Sequence, residues 1–187
     1  MFARSSLVVV TVALLNAACG GDPTGSATSD SATSSAQPSK AEGLAVGDDA
    51  PKVKLELQDG KTVDLAAMRD KFVLVYFYPK DDTPGCTVEA NGVRDAWGDF
   101  QAAGIEVFGV STQDAASHQL FIEKYKLPFP LVVDTSGDVA RAFEVPMKNG
   151  MASRQSFLIG KDGKIKAVWP QVNPSEHAGE VLAAAKS

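Results

Sequence analysis

Two cysteines and two histidines are all that this chain of 187 residues holds of sulfhydryl and imidazole. His118 and His177 stand alone, with no partners at metal-ligand spacing, so no zinc-type centre is expected and no metal ligand is assigned. Basic residues are in deficit: 18 Lys and Arg against 23 Asp and Glu leave a net charge of −5. An acidic chain without a basic run excludes nucleic acid as a partner. No internal repeat is found. The apolar run Leu7–Leu15 is also too short to span a membrane, reaching only about 13 Å as a helix against about 30 Å of hydrocarbon.

That run sits in a recognisable frame. Arg4 precedes it, and the small residues Ala17-Ala18 follow it before Cys19. A charged start, short apolar centre and small-residue exit read as an export signal over residues 1–18. The Ala-Ala-Cys sequence resembles the cleavage box of bacterial lipoproteins, in which the cysteine is lipidated and becomes the new N-terminus. Asn16 stands where that box carries a large aliphatic residue. Other readings are an ordinary secretory signal cleaved near Ala18, or a start codon assigned too early. Gly20–Lys40 is almost all Ser, Thr, Gly, Ala and Pro, a composition that cannot offset the entropy of ordering. Residues 19–43 are thus expected to form a disordered tether of roughly 25 Å mean reach. By the same resemblance, Gly20 in place of aspartate favours the periplasmic side of the outer membrane, with the membrane reached through lipid on Cys19 alone.

Residues 44–187 carry the ordered pattern, and the whole net charge falls in residues 41–187, because Arg4 and Lys40 balance Asp22 and Asp30 before them. Val53–Leu57 and Lys61–Leu65 predict a hairpin at a sheet edge around Asp59-Gly60. Phe72–Tyr78 and Ile105–Ser111 predict central strands covered on both faces. Cys86–Ala103 predicts one helix with Val88, Trp97 and Phe100 facing inward. Asp114–Lys126 predicts another with Leu120, Phe121 and Tyr125 on the sheet. Phe129–Val133 predicts a short strand, Gly137–Phe143 a brief helix and Val145–Ser153 a loop. Ser156–Gly160 and Lys164–Trp169 form a hairpin, and Pro174–Ala185 a closing helix capped by Asn173. The fold class is α/β: a three-layer sandwich with a central mixed β-sheet and flanking helices.

The chemistry concentrates in Pro79-Lys80-Asp81-Asp82-Thr83-Pro84-Gly85-Cys86, between a strand and a helix. A thiol in the first helical turn meets unpaired N–H groups and the positive dipole end, which favour thiolate. Thr83 offers a hydroxyl one turn earlier, for donation to the Cys86 sulfur or for orienting an incoming oxygen. Pro84 and Gly85 bend the chain and permit close approach, and Pro79 shields the sulfur. Arg154, just before a strand expected beside Phe72–Tyr78, is the candidate cation. Glu89 is either a partner for that arginine or a first-turn carboxylate. Arg94 and the pair Asp81-Asp82 are assigned to the surface, His118 and His177 to solvent, and Trp97 and Trp169 to core or rim.

The run Pro79-x-x-x-Thr83-x-x-Cys86 with Arg154 resembles the active site of peroxiredoxins. Phe77–Thr87 is similar to the peroxiredoxin Q, or bacterioferritin comigratory protein, branch in particular. The resemblance covers residues 44–186 and implies a thioredoxin-like fold, no cofactor and a monomer. Cys86 would be the peroxidatic cysteine, Thr83 and Arg154 would bind and polarise the peroxide, and Pro79 and Gly85 would shape its site. Many members carry a resolving cysteine five residues after the first; here that position is Asn91. The resemblance thus implies a one-cysteine cycle that reduces hydrogen peroxide or organic hydroperoxides and is closed by an external thiol or thioredoxin-like reductant. The loop Pro146–Ser153 is shorter than in many relatives. Alternative functions are a thioredoxin-like reductase or maturation lipoprotein, which would need a cysteine pair, and a non-catalytic, membrane-tethered thiol redox sensor.

Overall fold

β3 (Phe72–Phe77) is the middle strand of the molecule, and its alternation divides the core in two. Val73, Val75 and Phe77 point to one face, where they meet Phe108, Phe143 and Phe157. Leu74, Tyr76 and Tyr78 point to the other, with Cys86, Phe100, Phe121 and Val181. A strand apolar at every position is the sequence form of burial on both sides. The computed structural model describes residues 43–187; the predicted export signal, Cys19 and all of the tether but Gly43 lie outside the described residues.

The central sheet has five strands in the order β5-β4-β3-β8-β9, where β4 is Ile105–Ser111, β5 Leu131–Val133, β8 Gln155–Ile159 and β9 Ile165–Trp169. β3, β4 and β5 run parallel; β8 and β9 are antiparallel additions at β3's other edge. Helices α1 (Pro84–Asp95), α2 (Trp97–Ala102), α3 (Ala115–Tyr125) and α5 (His177–Lys186) contribute to the core on the Tyr76 face. α4 (Asp138–Ala142) packs on the opposite face with the hairpin of β1 (Lys54–Glu56) and β2 (Thr62–Asp64). The result is the expected mixed-sheet sandwich. Among the described residues no helix is long and apolar enough to cross a membrane.

Several local expectations are corrected. The hairpin forms at the sheet edge as expected, but β1 and β2 pair only with each other and reach edge strand β5 through an isolated bridge, Leu57 to Val132. The segment read as one helix over 86–103 is two, broken at Ala96 (φ −93°, ψ 11°). The supposed loop 145–153 contains a miniature hairpin, β6 (Met147–Lys148) and β7 (Met151–Ala152). Its turn is Asn149-Gly150, both at positive φ, the sequence signal for such a turn. α5 begins at His177, because Pro174–Glu176 make a turn; Asn173 Oδ1 accepts from Ser175 N at 3.3 Å, and the Asn173 carbonyl accepts from His177 N at 3.1 Å.

Val88 and Leu120 are exposed, at 47% and 68%, rather than inward. The inward stripe of α1 is Cys86, Glu89, Ala90 and Val93, and that of α3 runs through His118 and Phe121. At about 100° per residue, Val88 and Leu120 fall on the far sides of those stripes. In each helix a polar residue occupies the inward place.

Candidate active site

Strand β3 delivers the chain to the site. Tyr78 N donates to the Val110 carbonyl at 3.1 Å, extending the β4 pairing one residue past the strand. Thr83 is extended (φ −91°, ψ 153°), as the residue before a proline prefers, and Pro84 opens α1. Cys86 is therefore the third residue of the helix, where the backbone N–H groups have no intrahelical acceptor. It is a free thiol, 2% exposed.

Arg154, at the entry to β8, reaches it. Its Nη2 donates to Cys86 Sγ at 3.1 Å, and its Nη1 donates to Glu89 Oε2. One planar guanidinium thus bridges sulfur and carboxylate. A Cβ on Gly85 would lie 3.2 Å from Arg154 Nη2, so glycine leaves the room this approach needs. Burial works against the charge on Arg154, but the Glu89 carboxylate and the hydrogen bond to Cys86 outweigh it and raise its pKa further. Glu89, with a side chain 0% exposed, is the arginine's partner and not a surface first-turn charge.

Behind Glu89 stands His177, also 0% exposed, its Nδ1 3.0 Å from Glu89 Oε1. The approach is out of line for a hydrogen bond, and Glu89 Oε1 and both imidazole nitrogens have no other partner. The ring meets Tyr76 and Trp169 edge-on, with centroids 6.2 and 5.8 Å away. Burial, and after it the charges of Glu89 and Cys86, push the Tyr76 phenol well above its ordinary range.

A second buried group anchors the loop before the helix. Asp81, 6% exposed, accepts from Tyr78 OH at 2.7 Å and from Ser117 Oγ at 2.6 Å. His118 Nδ1 lies 2.9 Å from its Oδ2, and His118 Nε2 lies 3.1 Å from the Val132 carbonyl. Only Asp82 is exposed as expected, bonded to Lys124 at 2.6 Å and Tyr125 OH at 2.5 Å. The readings of Asp81, His118 and His177 as solvated are therefore corrected. The available signal was helical register: His118 is followed at i+3 by Phe121, and His177 at i+4 by Val181, both core residues.

Asp81 gives a pH prediction. Burial raises its pKa, but hydrogen bonds from His118 and Ser117 lower it more, so the net shift is downward. A carboxyl lowered on folding contributes stability above its unfolded value, near ~4, and that stability is lost as pH falls through the folded value. Thermal melts of Asp81→Asn are expected to show a loss of about 1–3 kcal/mol at neutral pH and a flatter acid limb than wild type.

Thr83 differs from expectation in one respect. Its hydroxyl donates to the Lys80 carbonyl at 3.1 Å and not to the Cys86 sulfur. Pro79 is half-buried directly after Tyr78. Arg94 points away from the sulfur, to Asn91 Oδ1 and the Tyr125 carbonyl. Among the described residues no three His, Cys, Asp or Glu side chains are grouped so as to hold a metal ion.

Comparison with known proteins then decides the family. Residues 46–168 match the model of the AhpC/TSA family. The chain belongs to the AhpC/TSA family. Within it, the chain is 41% identical over 146 residues to a Coxiella burnetii protein named peroxiredoxin bcp, covering 74% of this chain and 97% of that one. It is 42% identical over 139 residues to the chloroplastic peroxiredoxin Q of Oryza sativa subsp. japonica, covering 73% of this chain and 64% of the longer plant protein. Among solved structures, the Xanthomonas campestris bacterioferritin comigratory protein superposes with a TM-score of 0.68 at 34% identity, over 76% of this chain and 96% of that one. The AhpC/TSA chain described here thus has the thioredoxin-like peroxiredoxin fold and is an oxidoreductase of the peroxidase kind.

Proposed function

We propose that this protein reduces hydrogen peroxide and organic hydroperoxides in a one-cysteine cycle centred on Cys86. The observation that carries the reading is the Arg154 guanidinium 3.1 Å from the Cys86 sulfur. A thiolate facing that charge attacks one peroxide oxygen. The S–O bond forms as the O–O bond breaks, and the leaving oxygen takes up a proton to depart as alcohol or water. Arg154 stabilises the charge that builds on oxygen. Thr83, whose own proton is committed to Lys80, keeps lone pairs with which to accept the peroxide O–H. Pro79 covers the site, and Gly85 leaves space for the guanidinium.

The cycle closes externally. Residues 44–187 contain no cysteine besides Cys86, so an outside thiol condenses with the sulfenic acid and releases water. A second thiol then returns Cys86 to its reduced form and leaves the reductant as a disulfide. A thioredoxin-like reductant is one such donor. The Xanthomonas relative is described by its alkyl peroxide reduction activity, which supports organic hydroperoxides as substrates. The reductase alternative needs a second cysteine beside the first, and Thr83 stands there. Purified protein with hydrogen peroxide and dithiothreitol is expected to consume peroxide catalytically. Failure to exceed the rate of dithiothreitol alone would refute the reading.

The protein works as an exported monomer, held at the periplasmic face of a membrane by lipid on Cys19, with the outer membrane favoured. The Arg4, Leu7–Leu15 and Ala17-Ala18-Cys19 pattern supports this placement, as does the Ser/Thr-rich stretch after it. Intact mass of the native protein reports whether lipid is present.

A further inference from the structure

Of the groups that peroxide reduction leaves unused, His177 is the most costly to bury. Neither of its nitrogens has a hydrogen-bond partner, and an unpaired buried polar group is rarely kept without a reason. The sole charged neighbour described for it is Glu89 Oε1, 3.0 Å from Nδ1. Glu89 is in the matching position: Oε2 is occupied by Arg154 and Oε1 is unpaired. These two orphaned buried atoms lie at hydrogen-bond distance from each other, and one bond between them would satisfy both.

We propose that His177 is a positioning residue for the peroxidase site, donating Nδ1–H to Glu89 Oε1 and so keeping Arg154 aimed at Cys86. Arg154 lies between two groups that compete for it, the carboxylate and the sulfur. A donor on the far oxygen of Glu89 holds the carboxylate plane in place, so that Oε2 takes Nη1 and Nη2 remains on Sγ. Without that donor the carboxylate can rotate and draw both guanidinium nitrogens to itself, leaving the sulfur uncovered. No proton is transferred in this role; the Nδ1 proton stays on the ring. The other groups facing the imidazole do not substitute for it: Tyr76 from β3 and Trp169 from β9 present ring edges and faces. Ser156, the cross-strand neighbour of both, has a hydroxyl that is itself unpartnered.

The test has two arms, and only the kinetic arm rests on the peroxidase reading. In the wild-type protein, nitrogen-15 NMR of the His177 ring is expected to show a protonated Nδ1 whose hydrogen exchanges slowly, a protection lost in Glu89→Met, which has no acceptor oxygen. An unprotonated Nδ1, or one indifferent to Glu89→Met, would overturn the proposal whether or not the protein turns over peroxide. In the second arm, His177→Phe, which keeps a ring but no donor, is expected to oxidise Cys86 about tenfold or more slowly, the rate equivalent of losing one hydrogen bond to a charged group. His177→Gln, which retains an N–H, is expected to recover most of that rate. Equal losses in the two variants, or none in His177→Phe, would refute the positioning role. Should His177→Phe not fold, the ring-nitrogen measurement still decides. A wild-type protein inert to peroxide would instead bring down the peroxidase reading alone.

Discussion

Replacing Cys86 by serine is expected to reduce peroxide consumption to the rate of dithiothreitol alone, without unfolding the domain. Cys86 is 2% exposed and packs against an apolar cluster on one side and the Arg154 guanidinium on another. Serine is slightly smaller, and its oxygen can accept from Arg154 in place of Sγ, so the packing and the Arg154–Glu89 pair survive. What is lost is the nucleophile. A hydroxyl is not ionised at neutral pH, and neither the helix terminus nor the guanidinium changes that on the scale needed. No second thiol in residues 44–187 can take over. Circular dichroism together with peroxide consumption checks both halves. A serine variant that folds and still turns over would mean that the chemistry is elsewhere.

Arg154→Met is expected to lower the second-order rate of Cys86 oxidation about 10²–10³-fold, the range for removing one preorganised donor from a developing oxyanion. It is also expected to destabilise the fold by about 3–5 kcal/mol, because Glu89 would be left buried with its counter-charge gone. Glu89→Gln in the same background should restore much of the stability and none of the rate. The two consequences of the single change are thereby separated. Arg154→Lys should resemble methionine in rate more than wild type, since one ammonium cannot span sulfur and carboxylate as the planar fork does. A methionine variant that reacts with peroxide as fast as wild type would remove Arg154 from the mechanism. Stopped-flow oxidation and thermal melts suffice for the comparison.

Both predictions use residues that the sequence itself marked: Cys86 at a helix start, Arg154 before a strand, Gly85 beside the thiol. Local patterns showed them because local rules place them. The runs Phe72–Tyr78 and Ile105–Ser111 are apolar throughout, and the Thr83-Pro84 step is where a helix can begin. The site's depth was not legible in the same way. His118 and His177 each look solitary on a helix, and their partners come from other elements: Asp81 is 37 residues from His118, and Glu89 lies on another helix than His177. A polar residue with no partner in sequence is assigned to solvent by default. Register contradicted that default in both cases, since the same faces carry Phe121 and Val181. Val88 and Leu120 failed in the opposite sense, apolar residues on the outer sides of helices whose inward places were already held by Glu89 and His118. Asp81 was read together with its neighbour Asp82, yet Asp81 is buried while Asp82, at positive φ, is exposed.

Mass spectrometry of the reduced protein after one equivalent of hydrogen peroxide puts the chemistry at Cys86 most plainly to the question. A single oxygen is expected on the peptide containing Cys86, trapped as sulfenic acid by a selective reagent and removed by dithiothreitol. An unmodified Cys86 after the peroxide has been consumed, or oxygen found only on methionine, would contradict it.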